Sequence, residues 1–272
     1  MTTEPAADGS TLSRAGSAGP QQRDAGSGQG RSLAGLAGRT EARIALGRSG
    51  SGVPTREVLR FQADHAMARD AVHTVFDVAR IEAGCARAGL RPVVVDTQAS
   101  DTAAFLRFPA AGRRLAAGSA DILAELASDP VGAVGPDSMV FIVSGGLSAL
   151  GVNQYAPDIL SRTAGLLADR GIMVGPVVIA ARGRVGLMNE IGEILTPAAS
   201  TMLVGERPGL SSADSVGAYF QYRPRAGMTD AQRNCISNIR PGGLSVAAGS
   251  EALADLIERG MAQRVSGTEL KG

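Results

Sequence analysis

Ser200-Thr201-Met202-Leu203-Val204-Gly205-Glu206-Arg207-Pro208-Gly209-Leu210 is the stretch on which the fold reading turns. A short apolar run that stops at Gly-Glu-Arg-Pro-Gly reads as a buried strand ending in a polar turn. Such a strand delivers charged side chains and free backbone amides to the carboxyl edge of a sheet. Open α/β sheets bind their ligands at that edge. One further apolar run, at residues 216–222, separates this signature from a second polar one, Arg233-Asn234-Cys235-Ile236-Ser237-Asn238-Ile239-Arg240-Pro241. The polar neighbours of Cys235 predict a loop there that presents backbone groups.

Working outward, the same punctuation recurs. Apolar strand-like runs fall at residues 93–95, 139–143, 173–180, 201–204 and 216–222, and helical patterns at 113–127, 156–169, 188–195 and 250–264. Short continuous apolar strands alternating with helices predict an α/β fold, a doubly wound and mostly parallel sheet with flanking helices. A helical segment precedes the sheet. Thr55 is placed to cap it ahead of Arg56 and Glu57, and Val58, Phe61, Val72, Val75, Phe76 and Val78 form its apolar stripe. Residues 1–38 are rich in Gly, Ala, Ser and Arg with few large apolar side chains, which predicts a disordered tail. The expected organisation is therefore a tail (1–38), an N-terminal helical segment (39–90) and an α/β domain (91–272).

Composition removes several function classes. The 272 residues carry a net charge of +1, so no strong field for nucleic acid or a membrane surface is present. Aromatic residues make up 3%, too few for a base-stacking platform. No apolar run is long enough to span a bilayer, and the amino terminus has no apolar signal core. Cys85 and Cys235 are the only cysteines, which suits a reducing cytosol better than a disulfide framework. Lys271 is the only lysine, so neither a phosphate-loop lysine nor a Schiff-base lysine has a candidate in the folded part of the chain.

Several individual motifs have plainer readings. Gly26-Ser27-Gly28-Gln29-Gly30 lies in the low-complexity tail and follows no strand, as a dinucleotide fingerprint must. Ser144-Gly145-Gly146-Leu147-Ser148 follows a strand, but Leu150 stands where a nucleophile elbow needs its second glycine. His65 and His73 are eight residues apart on one predicted helix, not the four of a two-histidine metal face, and read as helix-face or packing residues. Gly183-Arg184-Val185 reads as a strand end leading into an amphipathic helix, Glu206 as an ion-pair partner of Arg207, and Cys235 as a small buried hydrophobe.

Taken together, the two polar signatures resemble those of the small subunit of ethanolamine ammonia-lyase. Leu59-Arg60-Phe61-Gln62-Ala63-Asp64-His65 and Gly112-Arg113-Arg114-Leu115 extend the resemblance, which starts near Arg43 and covers about 230 residues. It implies an adenosylcobalamin-dependent radical conversion of ethanolamine to acetaldehyde and ammonia, with a large catalytic subunit as partner. It also implies cofactor contacts at Val185, Glu206 and Cys235. No catalytic residue and no metal ligand is expected on this chain. The sequence has no Asp-x-His-x-x-Gly motif, so the cofactor is expected to keep its own dimethylbenzimidazole on cobalt (base-on).

Two departures from the family pattern stand out: Gly145 and Ala110 occupy positions where the family usually has aspartate. They keep open a degenerate partner that only stabilises the large subunit. A stand-alone nucleotide-binding α/β enzyme is the other alternative, and the missing phosphate loop counts against it. The expected location is the cytoplasm. Tails in the family can direct the enzyme into a bacterial microcompartment, but this Gly-rich tail shows no clear targeting helix and leaves encapsulation open.

Overall fold

The structure, a computed structural model, describes residues 35–37, 39–40, 42–129 and 134–271. The glycine pattern at 26–30 and all of the expected disordered tail except residues 35–37, which form one helical turn, lie outside the described residues. The chain divides into two compact units, Met1–Pro54 and Thr55–Gly272. In the first, Ser49 and Gly52 close a small antiparallel bridge, with the Ser49 N–H donating to the Gly52 carbonyl at 2.9 Å.

The second unit carries the sheet. Its helices are α1 (Thr55–His73), α2 (Val78–Arg87), α3 (Thr102–Arg107), α4 (Ala117–Ser128), α5 (Ala149–Asp169), α6 (Leu187–Leu195) and α7 (Val246–Gln263). Its strands are β1 (Pro92–Val95), β2 (Met139–Ser144), β3 (Val174–Ala180), β4 (Ala199–Gly205), β5 (Val216–Tyr222) and β6 (Asn234–Ile239). They form one six-stranded sheet in the order β1-β3-β2-β4-β5-β6. The pairings from β1 to β4 are parallel, and β5 runs antiparallel to both of its neighbours. The α/β sheet expected from the alternating runs is therefore present, with an antiparallel ribbon added at one edge.

Both faces of β2 and β4 are buried, which is why these strands are continuously apolar or small rather than alternating. Phe141, Leu203 and Phe220 pack with α2, α5 and α7 on one face, while Ile142, Val178 and Met202 pack with α4 and α6 on the other. The left–right alternation of strand order follows from these crossovers, so the sheet is doubly wound.

Several expectations are corrected. Residues 234–239 form an edge strand, not a loop: Ile236 and Ile239 turn toward the core while Cys235 and Ser237 face away. The polar residues are there because an edge strand is half solvated. The apolar stripe through Val78 spans two helices. The break at residues 74–77 is held by Asn153, whose Oδ1 accepts from the Asp77 N–H at 2.9 Å and whose Nδ2 donates to the Val75 carbonyl at 2.8 Å. Thr55 is the first residue of α1 rather than its cap. Helix α4 begins at Ala117, because Leu115 is extended and its N–H is captured by Glu190 Oε2 at 2.6 Å. Helix α5 begins at Ala149, well before Pro157, whose ring packs against Gly84 of α2.

Candidate functional site

The carboxyl ends of β2, β3 and β4 converge on one edge of the sheet, and the loops leaving them are locked by short polar contacts. Ser144, the last residue of β2, is fully buried. Its Oγ accepts from the Gly183 N–H at 2.8 Å and donates to the Gly183 carbonyl at 3.0 Å. The same loop is held by the Thr97 hydroxyl, donating to the Arg182 carbonyl at 3.0 Å, and by the Gly112 carbonyl, accepting from the Arg184 N–H at 2.7 Å. These ties fix Val185 at the entrance to α6. Ser144 is therefore a structural clamp and no nucleophile, and Ser148 is likewise engaged with the Ala213 carbonyl at 2.9 Å.

Glu206 is positioned by the glycine before it. A Cβ on Gly205 would lie 1.8 Å from the Ser148 carbonyl oxygen and 2.4 Å from that of Gly145, so only glycine lets β4 pass under this loop. Glu206 makes no ion pair with Arg207 among the described residues. Its Oε2 instead accepts from the Asn238 N–H at 3.0 Å, across β5, where Asn238 has a left-handed φ of 58°. The carboxylate thereby ties the end of β4 to the end of β6.

Tyr219 and Cys235 are register partners in the β5–β6 ribbon. Both side chains point away from the α5–α7 layer, and α6 packs on β4, so they face a cleft. The Tyr219 hydroxyl and the Cys235 thiol are neighbours across the ribbon. Burial pushes the Tyr219 hydroxyl up, and the neighbouring thiol and Glu206 add to the effect. Cys235 is exposed as an edge-strand residue, but its sulfur lies on the cleft side. Burial there raises the thiol, Glu206 raises it further, and the neighbouring Tyr219 hydroxyl partly offsets both. A thiol in this setting is neutral and is no nucleophile.

Two adjoining cavities meet at this point. One, of about 320 Å³, is lined by Val185, Glu206 and Tyr219, together with Phe105, Arg184 and Arg207. The other, of about 300 Å³, is lined by Val185, Tyr219 and Cys235, together with Arg113, Arg184 and Arg233. Val185, Glu206 and Cys235, singled out in the sequence, thus come from three separate loops and strands to one cleft. Arg233 forms part of its floor, with Nε donating to Gln221 at 3.1 Å, Nη2 to Asn189 at 2.6 Å and Nη1 paired with Asp230.

Arg184, Tyr219 and Arg113 were missed by sequence reasoning as site residues. Arg184 and Arg113 stood inside the quoted motifs Gly183-Arg184-Val185 and Gly112-Arg113-Arg114-Leu115, which was the available signal. Tyr219 had none short of the strand register. The histidines do not join the site. His73 and His65 are exposed on α1, with His65 stacked on Phe61 at a centroid distance of 6.2 Å. Among the described residues no cluster of His, Cys, Asp and Glu could hold a metal ion, and no helix is long and apolar enough to cross a membrane.

The whole-chain comparisons agree with the motifs. The profile of the ethanolamine ammonia-lyase light chain (EutC) matches residues 31–271. The ethanolamine ammonia-lyase small subunit of Bradyrhizobium diazoefficiens is 45% identical over 233 residues, covering 85% of this chain and 87% of the relative. That of Xanthomonas campestris pv. campestris is 45% identical over 232 residues, covering 85% and 84%. That of Pseudomonas syringae pv. tomato is 43% identical over 232 residues, covering 85% and 80%. With a family match across nearly all of the folded chain, this protein belongs to the ethanolamine ammonia-lyase small-subunit family.

Proposed function

We propose that this chain is the small subunit of a two-subunit, adenosylcobalamin-dependent ethanolamine ammonia-lyase, and that its cleft supplies one wall of the cofactor site. The observation that carries this reading is the gathering of Val185, Glu206 and Cys235 around Tyr219 in an open cleft at the carboxyl edge of the sheet. Open cavities of this size suit part of a large amide-fringed ring and call for a second wall from another chain. The orphaned, buried Arg184 Nε also suits a polar ligand that is completed on binding.

The cofactor, when bound, supplies the cobalt–carbon bond whose cleavage begins the conversion of ethanolamine to acetaldehyde and ammonia. The residues of this chain bind and orient. Val185 offers methyl groups and a backbone N–H at the mouth of the cleft. Glu206 offers a carboxylate oxygen to amide N–H donors. Cys235, kept neutral by burial and set opposite Tyr219, gives a close contact without adding charge. The two histidines lie on α1 and line neither cavity, so this chain would hold the cofactor through Val185, Glu206 and Cys235 and not through an imidazole. The groups that handle the amino alcohol belong to the large subunit.

Helix α1 exposes the apolar side chains Val58, Leu59, Phe61 and Met67, and we assign this helix to packing on the large subunit. The complex works in the cytoplasm, with encapsulation in a microcompartment depending on the tail. The test is co-purification with the large subunit, followed by ammonia release from ethanolamine. Turnover that needs both chains and adenosylcobalamin supports the assignment. A stable complex that binds no cobalamin and releases no ammonia from any small amino alcohol overturns it in favour of a degenerate partner.

A further inference from the structure

Three arginines around the cleft have no acidic partner, and they carry an inference that rests on the cofactor reading above and deepens it. Arg184 is common to both cavities, Arg207 lines the Glu206 side and Arg113 the Cys235 side. The Arg184 guanidinium is stacked 4.3 Å from the centroid of Phe105, and its Nη2 donates to the Phe105 carbonyl at 2.7 Å. Its Nε is buried without any hydrogen-bond partner. Burial lowers the Arg184 pKa, and repulsion from Arg113 and Arg207 lowers it further. Arg113 is brought in over the mouth of α6: its Cγ and Cδ would each lie 3.1 Å from a Cβ on Gly186.

The carboxylates that share these cavities do not neutralise them. Asp230 is paired with Arg233, and Glu206 is engaged by the Asn238 N–H. Neither Arg113, Arg184 nor Arg207 forms an ion pair among the described residues. A part-buried guanidinium with an unpaired N–H, flanked by two further guanidiniums, is costly unless an anion completes it. A phosphate ester is the anion this geometry suits, because arginine pairs with its oxygens through parallel N–H donors. Cobalamin presents neutral amides around the corrin and a single phosphodiester in its nucleotide tail.

We infer that Arg184, with Arg113 and Arg207, forms the anion-recognising part of this cleft and receives the phosphodiester of the cofactor's nucleotide tail. The nucleotide side of the cofactor would then face this chain, with Val185 at the junction of the two cavities.

The test compares cyanocobalamin with dicyanocobinamide, which keeps the corrin but lacks the phosphodiester and base, by spectral titration of the complex with the large subunit. The variants are Arg184→Met and the double substitution Arg113→Gln/Arg207→Gln. The double variant guards against a folding defect, because both residues are exposed. Each should weaken cyanocobalamin binding by about 10- to 100-fold, the effect of losing charge-assisted hydrogen bonds, and leave dicyanocobinamide binding within about twofold. The fall of cyanocobalamin affinity with added KCl should also flatten in both variants. Equal losses for the two corrinoids, or no loss with an unchanged salt slope, would overturn the anion site alone. Failure of the unsubstituted complex to bind either corrinoid would overturn the cofactor reading itself, and this inference with it.

Discussion

The Ser144 hydroxyl and the Gly183 backbone hold each other in both directions, with Oγ accepting from the N–H at 2.8 Å and donating to the carbonyl at 3.0 Å. This contact joins the end of β2 to the loop after β3 and sets the position of Val185. Ser144→Ala leaves two buried backbone groups without partners. It should lower unfolding stability by about 1–3 kcal/mol, measured by urea denaturation, and weaken corrinoid binding in the assembled complex. A variant as stable as the parent would show that the loop is held without this contact.

Glu206 does two things that its substitutions can separate. Its carboxylate fixes the left-handed Asn238 and faces the cleft. Glu206→Ala should weaken cobalamin affinity of the complex by roughly 10- to 100-fold. Glu206→Gln keeps an acceptor for the Asn238 N–H, so it should recover the stability lost in Glu206→Ala while leaving affinity reduced. An affinity unchanged in both variants removes Glu206 from the site.

The two departures from the family pattern differ in kind. A Cβ on Gly145 would lie 3.0 Å from the Ala181 carbonyl oxygen and 3.2 Å from Phe76, so this chain has filled the space that a side chain needs. Gly145→Asp should destabilise the chain by roughly 1–3 kcal/mol, through overpacking and burial of a carboxylate. Ala110 is exposed, and Ala110→Asp should change stability by less than about 0.5 kcal/mol. Thermal unfolding of the two single variants separates the cases, and equal melting temperatures would contradict the packing argument.

Cys85 is buried against α5, and desolvation raises its thiol from 9.0 to about 11. Between those values the folded chain keeps a proton that the unfolded chain has lost. Stability from this group is therefore fully present below pH 9.0 and is lost as pH rises through about 11. Cys85→Ala should flatten the pH dependence of urea unfolding across that window. An identical slope in parent and variant would show that other groups govern the alkaline limb.

Much of this architecture is legible in the chain because β2, β3 and β4 are buried on both faces and therefore read as unbroken apolar runs. Edge strand β6 is not, since its inward residues Ile236 and Ile239 are interspersed with the polar Asn234, Ser237 and Asn238. The start of α5 is hidden by Pro157, which the helix tolerates while packing on Gly84 of α2. The family resemblance singles out Val185, Glu206 and Cys235 one by one. What joins them is the β5–β6 register that sets Tyr219 opposite Cys235, a long-range pairing with no local signal. The unpaired state of Arg184 is likewise a property of packing, visible only once Phe105 is brought beneath it.

The most direct test is spectral titration of adenosylcobalamin into the large subunit alone, into its complex with this chain, and into the complex carrying Glu206→Ala. The account predicts tight binding only in the unsubstituted complex, with a loss of 10-fold or more from the substitution. Equal affinity in the large subunit alone would contradict it, because this chain would then add no wall to the cofactor site.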